Sequence, residues 1–171
     1  MSKKVKKQKT KQHKARKSAQ STSFWKDSDQ LIKLAILLGV TLLAFYGSLS
    51  NQFVNWDDDV NILDNENIAI LDWAHIKAIF SNHVIGGYNP LTILTFAIEK
   101  HFFGLDPFVF HLNNLLLHLV CVYFVYRILL LLKLSPMAAL FGALLFGIHP
   151  MRVESVSWAT DRKDVLFGAF Y

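Results

Sequence analysis

Cysteine is nearly absent from this chain. Cys121 stands alone inside an apolar run, which excludes an internal disulfide and leaves no metal-ligand spacing around it. A buried structural thiol is the expected use of such a residue. There is no internal repeat, and no G-x-G-x-x-G that would call for a dinucleotide-binding crossover. Acidic residues are missing from residues 1–26, which hold ten of the eighteen Lys and Arg. From Asp27 onward the balance reverses, with eight basic and thirteen acidic residues. The formal charge of +5 therefore belongs to a tail and not to a nucleic-acid-binding domain. Basic residues are scarce again between Asn51 and Pro107, where Lys77 and Lys100 are the only two.

Long apolar runs fill most of what remains. Residues 1–23 are polar, basic and without apolar periodicity, so they cannot bury enough surface to offset their ordering entropy. A topology-holding cytoplasmic tail, a lipid-headgroup patch and a nucleic-acid contact are the readings open to them. A first membrane span is expected over residues 31–50, with Lys33 near enough to its start to snorkel. A cleaved signal peptide is the alternative, against which stand the long basic tail and the lack of a small-x-small cleavage site. The basic bias places the amino terminus in the cytoplasm and the loop 51–107 outside. A second span over 108–132 returns inward, ending on Arg127 and Lys133. Pro136 suits the first turn of a third span, 136–150, which is short for a bilayer. A fourth begins near Asp164 and is cut off after eight residues. The fold class expected is all-α, a polytopic helical membrane protein of which this is the amino-terminal part. Its domains are a basic disordered tail, 1–30, and the start of a membrane domain, 31–171.

The outer loop carries three consecutive carboxylates, Asp57, Asp58 and Asp59, close behind the first span. Paired carboxylates near low-dielectric material are suited to general-base work. A solvated turn that caps a helix explains the same residues, and a divalent cation is a third possibility. Trp56 fits an interfacial anchor. Two short helices are expected, Ile68 to Ser81 lying along the membrane surface and Leu91 to Gly104, separated by the Gly86-Gly87 and Asn89-Pro90 breaks.

His111, Asn114 and His118 share one face of the second span. Such groups either link helices or line an aqueous site, and His111 is nearest the outer surface. A second polar cluster, HPMRVESVSWATDRKD, includes Glu154, Arg162, Lys163 and Asp164 and falls on the same outer side as the Asp triplet. Mutual charge pairing is the plainer account of it.

Together, NWDDDVNILDNENI, YNPLTILTFAIEKHFFGLDPFVFHLNNLLLHL and LFGIHPMRVESVSWATDRKDVLFGAFY resemble one family, over about residues 45–171. It is the transmembrane and tetratricopeptide-repeat O-mannosyltransferases with their bacterial relatives, within the C-type membrane glycosyltransferase superfamily. The resemblance implies many spans, an acidic pair in the first outer loop, and a lipid-phosphate sugar as donor. Carried onto this chain, it implies catalytic roles for Asp57, Asp58 and Glu154. It implies substrate binding by Arg162, Lys163 and Asp164, to which the span reading adds His111. Asn89 departs from the pattern, since relatives often carry Arg before this proline. The implied reaction is an inverting displacement in which Asp57 or Asp58 takes the acceptor's proton while Arg162 and Lys163 steady the departing phosphate. No cofactor and no bound metal are called for. The implied partners are the bilayer, a lipid-linked sugar and an acceptor protein or glycan, with no nucleic acid. A non-catalytic scaffold presenting tetratricopeptide repeats, and a transporter using the membrane-depth His and acidic residues, are the competing readings.

Overall fold

The computed structural model describes residues 28–83 and 87–170. The basic stretch 1–23 and Gly86 lie outside the described residues. The chain divides into two units, Met1–Ile36 and Leu37–Tyr171. In the first, the described residues are helical, and Lys33 pairs with Asp29 one turn before it. Residues 28–30, expected at the end of the tail, already belong to this helix.

Every regular element among the described residues is helical. Helix α1 covers 28–45 and is followed by a tighter 3-10 segment, Tyr46–Ser50. The outer loop then makes a wide π-helical turn, Asp59–Leu63, closed by the Asp64 amide on the Asp59 carbonyl at 2.8 Å. A 3-10 turn, Glu66–Ile68, leads to α2, Trp73–Ser81, and α3, Pro90–Phe103. Helix α2 starts five residues later than its apolar pattern implies. The reason is Asp72, whose carboxylate accepts from the His75 amide at 2.8 Å and so fixes the helix start there. After α3, Gly104 takes a positive φ of 68° that stops the helix. Helix α4, Pro107–Leu131, is the second long span.

Helix α5, Pro136–Gly147, starts on a Ser135 cap and is 12 residues long, roughly 18 Å at the usual rise. The expected third span, 136–150, therefore stops three residues early. Pro150 disfavours helical backbone at His149 and cannot continue the hydrogen-bond ladder. A short helix α6, Arg152–Ser157, occupies the polar stretch, and α7, Arg162–Phe170, begins two residues before the expected fourth span.

Among the described residues, two helices are long and apolar enough to cross a bilayer, Ser28–Ser50 and Pro107–Leu131. Helix α4 is dressed for lipid. Its exposed residues include Leu116, Val120, Phe124, Ile128 and Leu131, whereas His111, Asn114 and His118 are buried. A soluble helix places its polar residues the other way round, and polar groups turned inward are the membrane pattern.

Two apolar clusters hold the second unit together. One joins Ile62, Ile68 and Ile79 of the loop to Phe96 of α3, Phe110 of α4 and Ala159. The other joins Phe45, Leu115, Val156 and Val165. Close approach of helices is permitted by Gly147, where an added Cβ would come within 2.8 Å of the Thr41 hydroxyl and 3.2 Å of Val122. At Gly39 an added Cβ meets nothing within 4 Å. Gly147→Leu is therefore expected to cost about 1–3 kcal/mol by overpacking, while Gly39→Ala costs nothing, as read by thermal unfolding of the full-length protein in detergent.

Candidate active site

The outer loop and the segment after α6 are fastened by one carboxylate. Asp58 is 0% exposed. Its Oδ1 accepts from the Thr160 amide at 3.1 Å and the Thr160 hydroxyl at 2.8 Å. Its Oδ2 accepts from the Val54 amide at 2.9 Å. Both oxygens are thus engaged and shielded, which sets Asp58 apart from the open base expected of it. Around this clasp, the Asn51 amide group donates to the Ser157 carbonyl at 3.4 Å, and Trp56 packs on Trp158 with ring centroids 5.8 Å apart.

Asp57, half-buried, begins the turn that the clasp fixes, and its own carbonyl accepts from Asn61 at 2.8 Å. Its carboxylate acts electrostatically on Lys163. The Lys163 amine lies 2.8 Å from an Asp161 oxygen and is partly open to solvent. That hydrogen bond raises the Lys163 amine above its ordinary value against the cost of partial burial, and the fields of Asp161, Asp164 and Asp57 add to it. Asp164, exposed, accepts from the Ser155 hydroxyl at 3.2 Å. The first loop and the segment leading into RKD are therefore joined through Asp58 and Thr160, with Asp57 near enough for its charge to act on Lys163.

Beside Lys163 lies a groove of about 290 Å³. Tyr88, Asn89 and Lys163 supply its polar lining, and Leu91, Leu166 and Phe170 supply apolar walls. Asn89 immediately precedes α3 but makes no side-chain cap to it, so its amide faces other uses.

Arg162 corrects a second expectation. Instead of facing a departing phosphate, it is 0% exposed and spends all but one of its N–H donors on protein acceptors. Nε donates to Asn114 Oδ1 at 2.6 Å, one terminal nitrogen to the Phe110 carbonyl at 2.8 Å, and the other to Thr95 Oγ1 at 2.9 Å and to Glu99 Oε1. Its guanidinium also lies 4.5 Å from the Phe96 ring centroid. Arg162 ties α3, α4 and α7 together.

Of the other expected site residues, Glu154 is exposed on α6 and makes no side-chain hydrogen bond or ion pair to another described residue, so nothing joins it to the Asp57 region. His111 is 1% exposed, and neither ring nitrogen reaches a partner among the described residues. Asn114 and His118 serve as links between elements, Asn114 donating to the Trp158 carbonyl at 2.9 Å and His118 Nε2 meeting the Gly147 carbonyl at 2.8 Å. Thr160, Glu99 and Asn113 escaped the sequence reading. Glu99 alone left a signal there, a carboxylate within the apolar run of α3. Among the described residues no group of three or more His, Cys, Asp and Glu is arranged to hold a metal ion.

These segments can be set beside known proteins. No family model matches the chain, and no solved structure does. Curated relatives do match. Human "Protein O-mannosyl-transferase TMTC1" is 34% identical over 146 residues, 77% of this chain and 16% of its own length. Human "Protein O-mannosyl-transferase TMTC4" is 32% identical over 154 residues, 77% of this chain and 21% of its own length. Human TMTC3, also named a protein O-mannosyl-transferase, is 29% identical over 82% of this chain. The chain is a homologue of the TMTC protein O-mannosyl-transferases. It spans about a sixth to a fifth of the length of the TMTC relatives it matches.

The network around Arg162 makes a direct prediction for this TMTC homologue. Removing one partner of a buried ion pair strands the other, so Arg162→Met should lower unfolding stability of the full-length protein by about 3–5 kcal/mol. Lys163→Met, at a partly exposed pair, should change it by no more than about 1 kcal/mol.

Proposed function

We propose that the chain forms the donor-side wall of a membrane glycosyltransferase. The enzyme transfers a sugar from a polyprenyl- or dolichyl-phosphate donor to a hydroxyl of an acceptor protein, on the non-cytoplasmic face. The observation that carries this reading is the clasp of Asp58 on Thr160, which holds the turn of Asp57 within electrostatic reach of Lys163, itself part of the lining of a groove that is polar at one part and apolar at another. A lipid-phosphate donor has the same two-part character. The names of the TMTC relatives supply the reaction class and a protein as acceptor. Mannose as the sugar rests on those names alone.

In this reading the acceptor oxygen bonds to the anomeric carbon as the bond from that carbon to the phosphate oxygen breaks. The electron pair leaves with the phosphate, and Asp57 takes the proton of the acceptor hydroxyl. Lys163 stands where negative charge gathers on the leaving phosphate, a point charge that strengthens as water is excluded. Asp161 holds its ammonium in place, and the field of Asp164 adds to that hold. Asp58 and Arg162 shape the site without touching substrate, Asp58 by fixing the turn that presents Asp57 and Arg162 by fixing the start of α7. Asn89 lines the same groove and would meet the donor as a neutral hydrogen-bonding group. The orientation follows from charge: ten basic residues precede the first span, and two lie in the following loop of 57 residues.

The test is a transfer assay on the full-length protein with a lipid-phosphate mannose donor and a Ser/Thr peptide. Asp57→Asn is expected to lower kcat by about a hundredfold or more, the usual scale of a positioned base, with the unfolding midpoint unchanged. Lys163→Met is expected to act chiefly on the donor, raising its KM and lowering kcat. Undiminished transfer by Asp57→Asn would remove the reading.

A further inference from the structure

A second groove, of about 290 Å³, lies on the other side of the ion pair and has no part in the proposed transfer. Glu99, Asn113 and Arg162 supply its polar lining, and Ile98, Phe103 and Leu117 are among its apolar walls. Glu99 is 5% exposed, and the accounting of its oxygens is uneven. Oε1 accepts from Arg162 and from Asn113 at 2.8 Å, whereas Oε2 is buried with no hydrogen-bond partner among the described residues. A buried carboxylate oxygen without a donor is costly, and such oxygens are nearly always satisfied.

The chemistry of the missing donor is constrained. Glu99 and Arg162 already cancel each other's charge in direct contact, so a second cation would leave a buried net charge that nothing offsets. An anion would face the carboxylate. A neutral O–H or N–H donor fits. Beyond this carboxylate the lining is apolar: Ile98 and Phe103 of α3 are 41% and 61% exposed, and Leu117 sits on the span α4. A ligand matched to these features has one neutral donor at the head of an apolar body, and the bilayer is the source of such molecules.

We infer that this groove binds a neutral lipid alcohol, its hydroxyl donating to Glu99 Oε2 and its chain lying along Ile98, Phe103 and Leu117. The inference does not depend on the transfer reaction. Diacylglycerols and sterols share the required chemistry.

The experiment uses the full-length protein in nanodiscs and a long-chain alcohol bearing a diazirine in its chain, alongside the same molecule capped as the methyl ether. Cross-links are expected in the peptides containing residues 98–103 or 113–117, falling about tenfold or more for the ether, which cannot donate. Leu117→Trp, which fills the groove without touching the ion pair, is expected to remove them. Unlabelled diacylglycerol or a sterol should compete, and whichever competes better identifies the class of membrane alcohol. Equal labelling by the ether, labelling that survives Leu117→Trp, competition by neither lipid, or no labelling of these peptides because another segment of the full-length chain fills the groove would each overturn the inference. The alcohol-to-ether comparison is made on the unsubstituted protein, so it decides the matter even if the tryptophan variant does not fold.

Discussion

A carboxylate buried at 0% exposure must have its oxygens satisfied, and that constraint organises the outer half of this molecule. Asp58 meets it by taking donors from Val54, four residues before, and from Thr160, 102 residues after. The turn carrying Asp57 is thereby pinned to the segment that leads into α7, and Lys163 is delivered beside it. Arg162 solves the complementary problem one residue earlier, drawing acceptors from α3 and α4 around a buried guanidinium. Two buried charges of opposite sign, satisfied separately, frame one partly exposed lysine between acidic neighbours. The groove follows from that frame.

The same economy explains the membrane character. Helix α4 turns Leu116, Val120, Phe124 and Ile128 outward and keeps Asn114 and His118 for hydrogen bonds inside. In hydrocarbon an unsatisfied polar group is dearer than in a soluble core, and Asn114 meets the Trp158 carbonyl and the Arg162 guanidinium while His118 meets the Gly147 carbonyl. The short helix α5 fits beside it because Gly147 leaves room for Thr41 and Val122. Helix packing and the polar network are thus one arrangement and not two.

Much of this was legible in the residues. The two long spans, a helix opening on Pro136, the helix end at Gly104, and the shared face of His111, Asn114 and His118 follow from hydropathy, proline chemistry and helical period, whereas the stop at Gly147 came three residues before the expected end. The convergence of the first loop with the RKD segment followed from topology, since both fall on one side of the membrane. What stayed hidden was the division of labour among like residues. Asp57 and Asp58 are identical neighbours in the sequence, yet Asp58 is enclosed by Val54 and Thr160 while Asp57 stays half-buried, within electrostatic reach of Lys163. Arg162 and Lys163 read as a cationic pair, yet the rotation of about 100° between successive helical residues sends one inward and the other to the groove. Such a split depends on which backbone amides arrive from 102 residues away, and neither periodicity nor local propensity encodes that. The start of α2 was misplaced for a related reason: Asp72 outweighs the apolar spacing that begins at Ile68.

The central claim is that Asp58 couples the outer loop to the segment before α7. A double-mutant cycle with Asp58→Asn, Thr160→Val and the pair, read as unfolding free energy of the full-length protein, measures that coupling. The account predicts an interaction energy of about 1.5–3 kcal/mol, the range for hydrogen bonds to a charged group. Additivity within about 0.5 kcal/mol, the behaviour of sites that do not touch, would contradict it.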